Sequence, residues 1–176
     1  MEMLLAVVLI VLIAGVGGGV CLKAYKKMMV EKSTRDFVLA AKYARAIAIE
    51  RQCPCKLELG SSGGNFILTI EQFNEQTEQT ERVILRDAYF KPVEFADGIK
   101  FEKIQIESSD LAGPDKQQQQ SDIVFSPDGR ASAAVVQIGD GQNHITVSIQ
   151  AATAKAMAQA GIVEHIENKT IDLDEL

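Results

Sequence analysis

The sequence predicts an α+β protein in which a long N-terminal helix, transmembrane and then amphipathic, packs on a small antiparallel β-sandwich-like domain. Three features carry this expectation: an uncharged run from Leu4 to Leu22, helical spacing of apolar residues from there to Gln52, and period-two alternation beyond Pro54. The chain has 176 residues, enough for one domain of roughly 100 to 150 residues and one further element. The expected division is residues 1–22 as the transmembrane part of the helix, 23–53 as its amphipathic continuation, 54–163 as a β-rich globular domain and 164–176 as a frayed acidic tail.

The first element is the run LLAVVLIVLIAGVGGGVCL from Leu4 to Leu22. As a helix it is about 28 Å long at roughly 1.5 Å per residue, enough to span a bilayer. A secretory signal peptide has a basic start, a shorter apolar stretch and a small-residue cleavage site, whereas here the acidic Glu2 comes first. A buried soluble helix rarely carries so unbroken an apolar run. Membrane insertion is therefore the expectation, and membrane lipid is an expected partner. A carboxylate at the edge of such a helix costs about 2 to 3 kcal/mol if it enters hydrocarbon unpaired. Glu2 should either have a partner or stay in the headgroup layer. Gly17, Gly18 and Gly19, with Gly15 nearby, each weaken the helix by about 1 kcal/mol relative to alanine. They can loosen it locally, permit close helix packing, or both. They form no phosphate loop, because no Gly-Lys-Ser/Thr follows and no strand precedes.

The helix continues beyond Lys23, Lys26 and Lys27. In EKSTRDFVLAAKYARAIAIERQ, Phe37, Ala40, Ala41, Ala44, Ile47 and Ala48 recur at helical spacing, with Arg35, Lys42, Arg45 and Arg51 among the polar positions. One helix of about 50 residues, ended by Pro54, is expected to pack its apolar stripe on the domain C-terminal to it.

Beyond Pro54 short alternating runs are separated by turn residues. Lys56–Leu59 is one; Phe66, Leu68 and Ile70 mark the next, after Ser61-Ser62-Gly63-Gly64; Val83–Arg86 comes third. In Ile99–Glu107 the apolar residues Ile99 and Phe101, then Ile104 and Ile106, slip phase at Glu102-Lys103, where a bulge would reconcile both halves. Ser108–Ser121 reads as a solvated loop. Ile123–Phe125 enters Ser126-Pro127-Asp128-Gly129, whose Pro127, Asp128 and Gly129 fit a type I turn. Ala134, Val136 and Ile138 then alternate up to the hairpin signal Asp140-Gly141, and Ile145, Val147 and Ile149 alternate after it. About seven short strands suggest packed antiparallel sheets. Ala151–Ala160 reads as a helix by propensity or as a last irregular strand.

Composition excludes several functions. A net charge of -6 with a pI near 5.0 disfavours nucleic acid as a partner, because phosphate binding needs clustered Lys and Arg. Aromatic residues are 6% and Trp is absent, so the core must rest on Ile, Val, Leu and Ala with a few Phe. Cys21 sits in the apolar run as a small hydrophobe. Cys53-Pro54-Cys55 is not a Cys-x-x-Cys redox motif, and no second cysteine pair completes a zinc site. The two thiols read as structural, with a strained local disulfide as the alternative in an oxidising compartment. His144 and His165 lie outside any metal-ligand spacing and read as surface histidines. No Ser-His-Asp or Cys-His arrangement emerges, so neither an enzyme, a metal nor a cofactor is expected.

The combination of EMLLAVVLIVLIAG, a continuing amphipathic helix, and IVFSPDGRASAAVVQI before a final hairpin resembles type IV pilin-like proteins. Within them it is most similar to the minor pseudopilins of type II secretion of the GspH kind and to the related FimT/FimU minor pilins. The first motif is fairly specific; Pro-Asp-Gly between strands occurs in many folds. The resemblance implies a non-catalytic subunit of a secretion pseudopilus with other pseudopilins or pilins as partners. A minor pilin in pilus assembly or DNA uptake is the alternative. It also implies that Glu2 neutralises a neighbouring subunit's N-terminal amine and that the apolar helices bundle in the filament core. In much of the family a proline interrupts this helix, and Gly17, Gly18 and Gly19 occupy that neighbourhood here.

The family's basic leader, cleavage-point glycine and Phe-Thr-Leu-like start do not precede Met1. A start lying upstream is the expectation, and a prepilin peptidase would then be a partner. By the positive-inside tendency Lys23, Lys26 and Lys27 would hold the β domain in the cytoplasm. The family's orientation is the opposite, an inner-membrane helix with the β domain outside the cytoplasm, and is the one adopted.

Overall fold

A computed structural model describes residues 2–60, 63–74, 79–86, 90–107 and 122–161. Within these, the side chains at 2, 4–5, 9–21, 73–74 and 79–80 lie outside the description.

A single helix, α1, runs from Glu2 to Arg51, 50 residues without interruption. It ends where expected: Gln52 takes a positive φ of 52° and Pro54 then denies the chain a further helical N–H. The expected apolar stripe is the buried one, with Phe37, Ala41, Ala44 and Ala48 fully enclosed and Ala40 and Ile47 nearly so. Four alanines let the sheets approach the helix backbone closely, while Phe37 fills the wider gap. The stripe begins earlier than expected, because Val30, Ser33 and Thr34 are buried too. Thr34 hides its polarity by donating Oγ1–H to the Val30 carbonyl, 2.8 Å away.

Nine strands are present among the described residues, more than the seven expected. They are β1 Cys55–Leu59, β2 Asn65–Asn74, β3 Gln79–Ile84, β4 Val93–Glu94, β5 Lys100–Ile106, β6 Asp122–Phe125, β7 Ala134–Gly139, β8 His144–Ile149 and β9 Ala156–Ala160. All pair antiparallel, in two sheets. One has the order β3-β2-β1-β6, with β4 on β2; the other is β5-β7-β8-β9. β4 was not anticipated, because two residues are too few to show a period. The run expected at Val83–Arg86 instead ends at Ile84, and its strand starts earlier, at Gln79.

The bulge expected at Glu102-Lys103 is there. Pairing between β5 and β7 shifts between Phe101 and Lys103, so both Phe101 and Ile104 pack on the core. The question over Ala151–Ala160 resolves toward a strand: a turn over 151–153, positive φ at Ala154 and then β9, drawn onto the free edge of β8. Ser108–Ser121 and the tail from Glu164 lie outside the described residues.

Helix and both sheets meet on phenylalanines. Phe66 in β2 contacts Phe37 of α1 edge-on at 5.4 Å between ring centres, Phe95 at 5.6 Å and Phe101 at 6.5 Å. Phe37 also reaches Phe101 at 5.8 Å, and Tyr43 stacks on Phe90 at 6.1 Å. These rings therefore join α1 to the first sheet and to the bulged strand of the second.

Candidate assembly surface on the helix

The helix presents two chemically different sides. At about 100° per residue, Val30, Phe37, Ala41 and Ala48 fall on one side, against the sheets. Tyr25, Met28 and Leu39 fall about opposite, and they are 57%, 67% and 54% exposed. Toward the N-terminus Met3, Val7, Val8 and Leu22 are exposed as well. The β domain leaves these apolar side chains uncovered, with the exposed Lys32 and Arg35 standing between Met28 and Leu39 on the outer side.

Among the described residues no helix is long and apolar enough to cross a membrane. The expected span Leu4–Leu22 falls mostly on side chains outside the description, as do those of Glu2, Gly17, Gly18, Gly19 and Cys21. Their backbone belongs to α1.

The far end of the helix meets the turn at Pro127, Asp128 and Gly129. Gly129 N–H donates to the Ser126 carbonyl at 3.0 Å, and Ser126 N–H to the Arg130 carbonyl at 2.8 Å. Gly129 has φ +84°, a conformation that suits glycine; a Cβ there would lie 3.7 Å from Ile49 Cδ1, so the turn rests against α1. Asp128 accepts from the Arg130 N–H at 3.1 Å and pairs with its guanidinium. These bonds, the backbone one first, hold its carboxyl below the ordinary range.

At the opposite end, the turn Asp140–Asn143 joins β7 to β8. Asp140 Oδ1 accepts the N–H groups of Asn143 at 2.7 Å and Gln142 at 3.0 Å, closing the turn expected at Asp140-Gly141. Its carboxyl is held low chiefly by the Asn143 N–H, with Lys26 of α1 contributing a smaller attraction. Beside this turn stands a cluster that sequence alone did not indicate. Glu102, at the bulge, accepts from Gln137 Nε2 at 2.9 Å and Gly141 N–H at 2.9 Å, and lies 2.6 Å from His144 Nδ1. His144 is thus a half-buried partner of a carboxylate, not the surface histidine expected. The phase slip at Glu102 was the visible signal, since a bulge re-aims a side chain. Among the described residues no group of three His, Cys, Asp or Glu side chains is placed to hold a metal. Cys53 and Cys55 are free thiols, Cys55 fully enclosed beneath α1.

The family model for the type II transport protein GspH matches residues 33–153, from the amphipathic half of α1 through β8. The chain belongs to the GspH family. GspH proteins are minor pseudopilins of type II secretion, structural and not enzymatic, so membership places this chain among other pseudopilins at the inner membrane and periplasm. The fold agrees. Two solved structures of the minor pseudopilin EpsH from the type II secretion system of Vibrio cholerae are similar to it. In one, the TM-score is 0.53 at 12% identity, covering 74% of this chain and 96% of the other. In the second, the TM-score is 0.56 at 10% identity, covering 78% and 99%. No curated protein sequence matches the chain.

Proposed function

We propose that this GspH-family chain is a subunit at or near the tip of the type II secretion pseudopilus. Its helix crosses the inner membrane once, with the β domain in the periplasm, and its apolar side packs against the helices of neighbouring pseudopilins. The observation that carries this is the exposure of the apolar side chains Tyr25, Met28 and Leu39, with Lys32 and Arg35 between the last two, on the side of α1 opposite the β domain. In water such exposure is unfavourable by about 25 cal/mol per Å² of apolar surface, and burial against partner helices removes that penalty. The apolar run Leu4–Leu22 extends the same surface into lipid. Glu2 pairs with a neighbouring subunit's N-terminal amine, satisfying a carboxylate that hydrocarbon would otherwise penalise. Gly17, Gly18 and Gly19 let the helix loosen or pack closely within the bundle.

The experiment is assembly in cells carrying the secretion machinery. Glu2→Ala should reduce co-purification with the other pseudopilins and secretion together, while the β domain stays folded. Assembly at the unsubstituted level would remove the pairing role. Leu39→Asp tests this side separately and should weaken the same association, because a charge replaces an apolar contact.

A further inference from the structure

Lys23, Lys26 and Lys27 come directly after the apolar run that ends at Leu22, and all three are exposed. At about 100° per residue they fall within about 100° of one another, on the side of α1 that carries Val30 and Phe37 against the sheets. They therefore stand under the β domain and not on the side left for neighbouring helices. Lys27 makes one exposed contact to Glu31, at 4.0 Å, too weak to occupy it. On the other side of the same turns Tyr25 and Met28 are exposed and uncharged, and the exposed Leu22 lies between, about 40° from Lys26.

We propose that Lys23, Lys26 and Lys27 form a headgroup site for anionic phospholipid beneath the β domain, opposite an apolar edge made by Tyr25 and Met28. This rests on the membrane insertion proposed above. The lysines lie where an inserted helix leaves the hydrocarbon, and their long apolar stems let the ammonium groups reach phosphates at the surface. Tyr25 sets an apolar ring with a polar tip at the same level, the interfacial position such rings favour. Charges on one side and apolar groups on the other resist rotation of the helix about its axis. A subunit anchored in this way presents its outward apolar side chains in one direction before it meets a partner.

The test uses the full chain in phosphatidylcholine bilayers, with Tyr25→Trp as the reporter, since the chain has no other Trp. Brominated phosphatidylglycerol and brominated phosphatidylcholine are compared as quenchers. Phosphatidylglycerol should be preferred about fivefold or more, and the preference should fall close to unity when all three lysines are replaced by Gln. No preference in the reporter chain, or one that survives the triple substitution, overturns the proposal. A preference that emerges only after residues 162–176 are removed also overturns it, since the acidic tail then occupies the lysines. Absence of quenching by either lipid identifies a different failure, that of membrane insertion itself.

Discussion

Glu102 Oε2 lies 2.6 Å from His144 Nδ1, tying the bulge of β5 to the first residue of β8 across β7. The carboxylate crosses at Gly139, where a Cβ would meet Glu102 Oε1 at 2.5 Å. Three groups converge on this one side chain, because Gln137 and the Gly141 N–H also donate to it. Glu102→Ala is expected to lower stability by about 1 to 3 kcal/mol, since it strands partly buried donors without partners. Urea denaturation of the unsubstituted and substituted proteins measures this.

Gly139→Ala should be destabilising by a similar amount, about 1 to 3 kcal/mol, through crowding. In a Glu102→Ala background the loss should shrink but persist, because the Asn143 carbonyl oxygen also lies 2.7 Å from the added Cβ. A double-mutant cycle by urea denaturation reads the coupling.

Phe66→Ala is expected to cost about 3 to 5 kcal/mol, because Phe66 is almost fully enclosed at the meeting point of α1 and both sheets. Thermal unfolding should show the loss directly. Val83→Ala on β3, 39% exposed, serves as the contrast and should change stability far less.

The aspartates give opposite pH effects. Asp140 is held below its ordinary value by the Asn143 N–H, so its bonds contribute stability above the unfolded value, about 3.9, that is lost as pH falls through the lower folded one. Asp140→Asn should flatten that acid limb. Asp122 is raised, by burial first and then by Glu58, so its ionised form is disfavoured in the folded chain. Asp122→Asn should therefore stabilise at pH 7, and the gain should vanish below about pH 3.9, where the aspartate is protonated in both states. Denaturation midpoints measured from pH 7 to pH 2 separate the two.

Burial, with Cys53 nearby, pushes the Cys55 thiol up to about 12. At pH 8 it has almost no thiolate, and α1 blocks access, so alkylation should reach Cys53 orders of magnitude faster. Mass spectrometry of peptides after timed labelling checks the order, and equal rates in the folded protein would contradict it.

Much of the architecture was legible because each element writes its period into neighbouring residues. Phe37, Ala40, Ala41, Ala44, Ile47 and Ala48 declared the buried side of α1, and Phe66, Leu68 and Ile70 that of β2. The phase slip at Glu102-Lys103 located the bulge. The assembly surface was only half legible. Its N-terminal apolar run stands out, but the exposed Leu39 looks like any other apolar residue of the amphipathic half until the β domain is seen to pack on the other side.

By itself, the sequence determined a long helix ending before Pro54, the side that helix buries, and most of the strands, since these depend on contacts a few residues apart. Tertiary structure alone decided what depends on distant segments meeting. β1 takes β6 as a neighbour across a long stretch of chain, Ala156–Ala160 becomes a strand because β8 offers an edge, and His144 finds Glu102 across β7. Periodicity cannot encode such choices, because every strand with one apolar face satisfies it equally. The closure of two sheets around Phe66 and Phe37 selects one pairing, and that selection leaves Tyr25, Met28 and Leu39 facing outward.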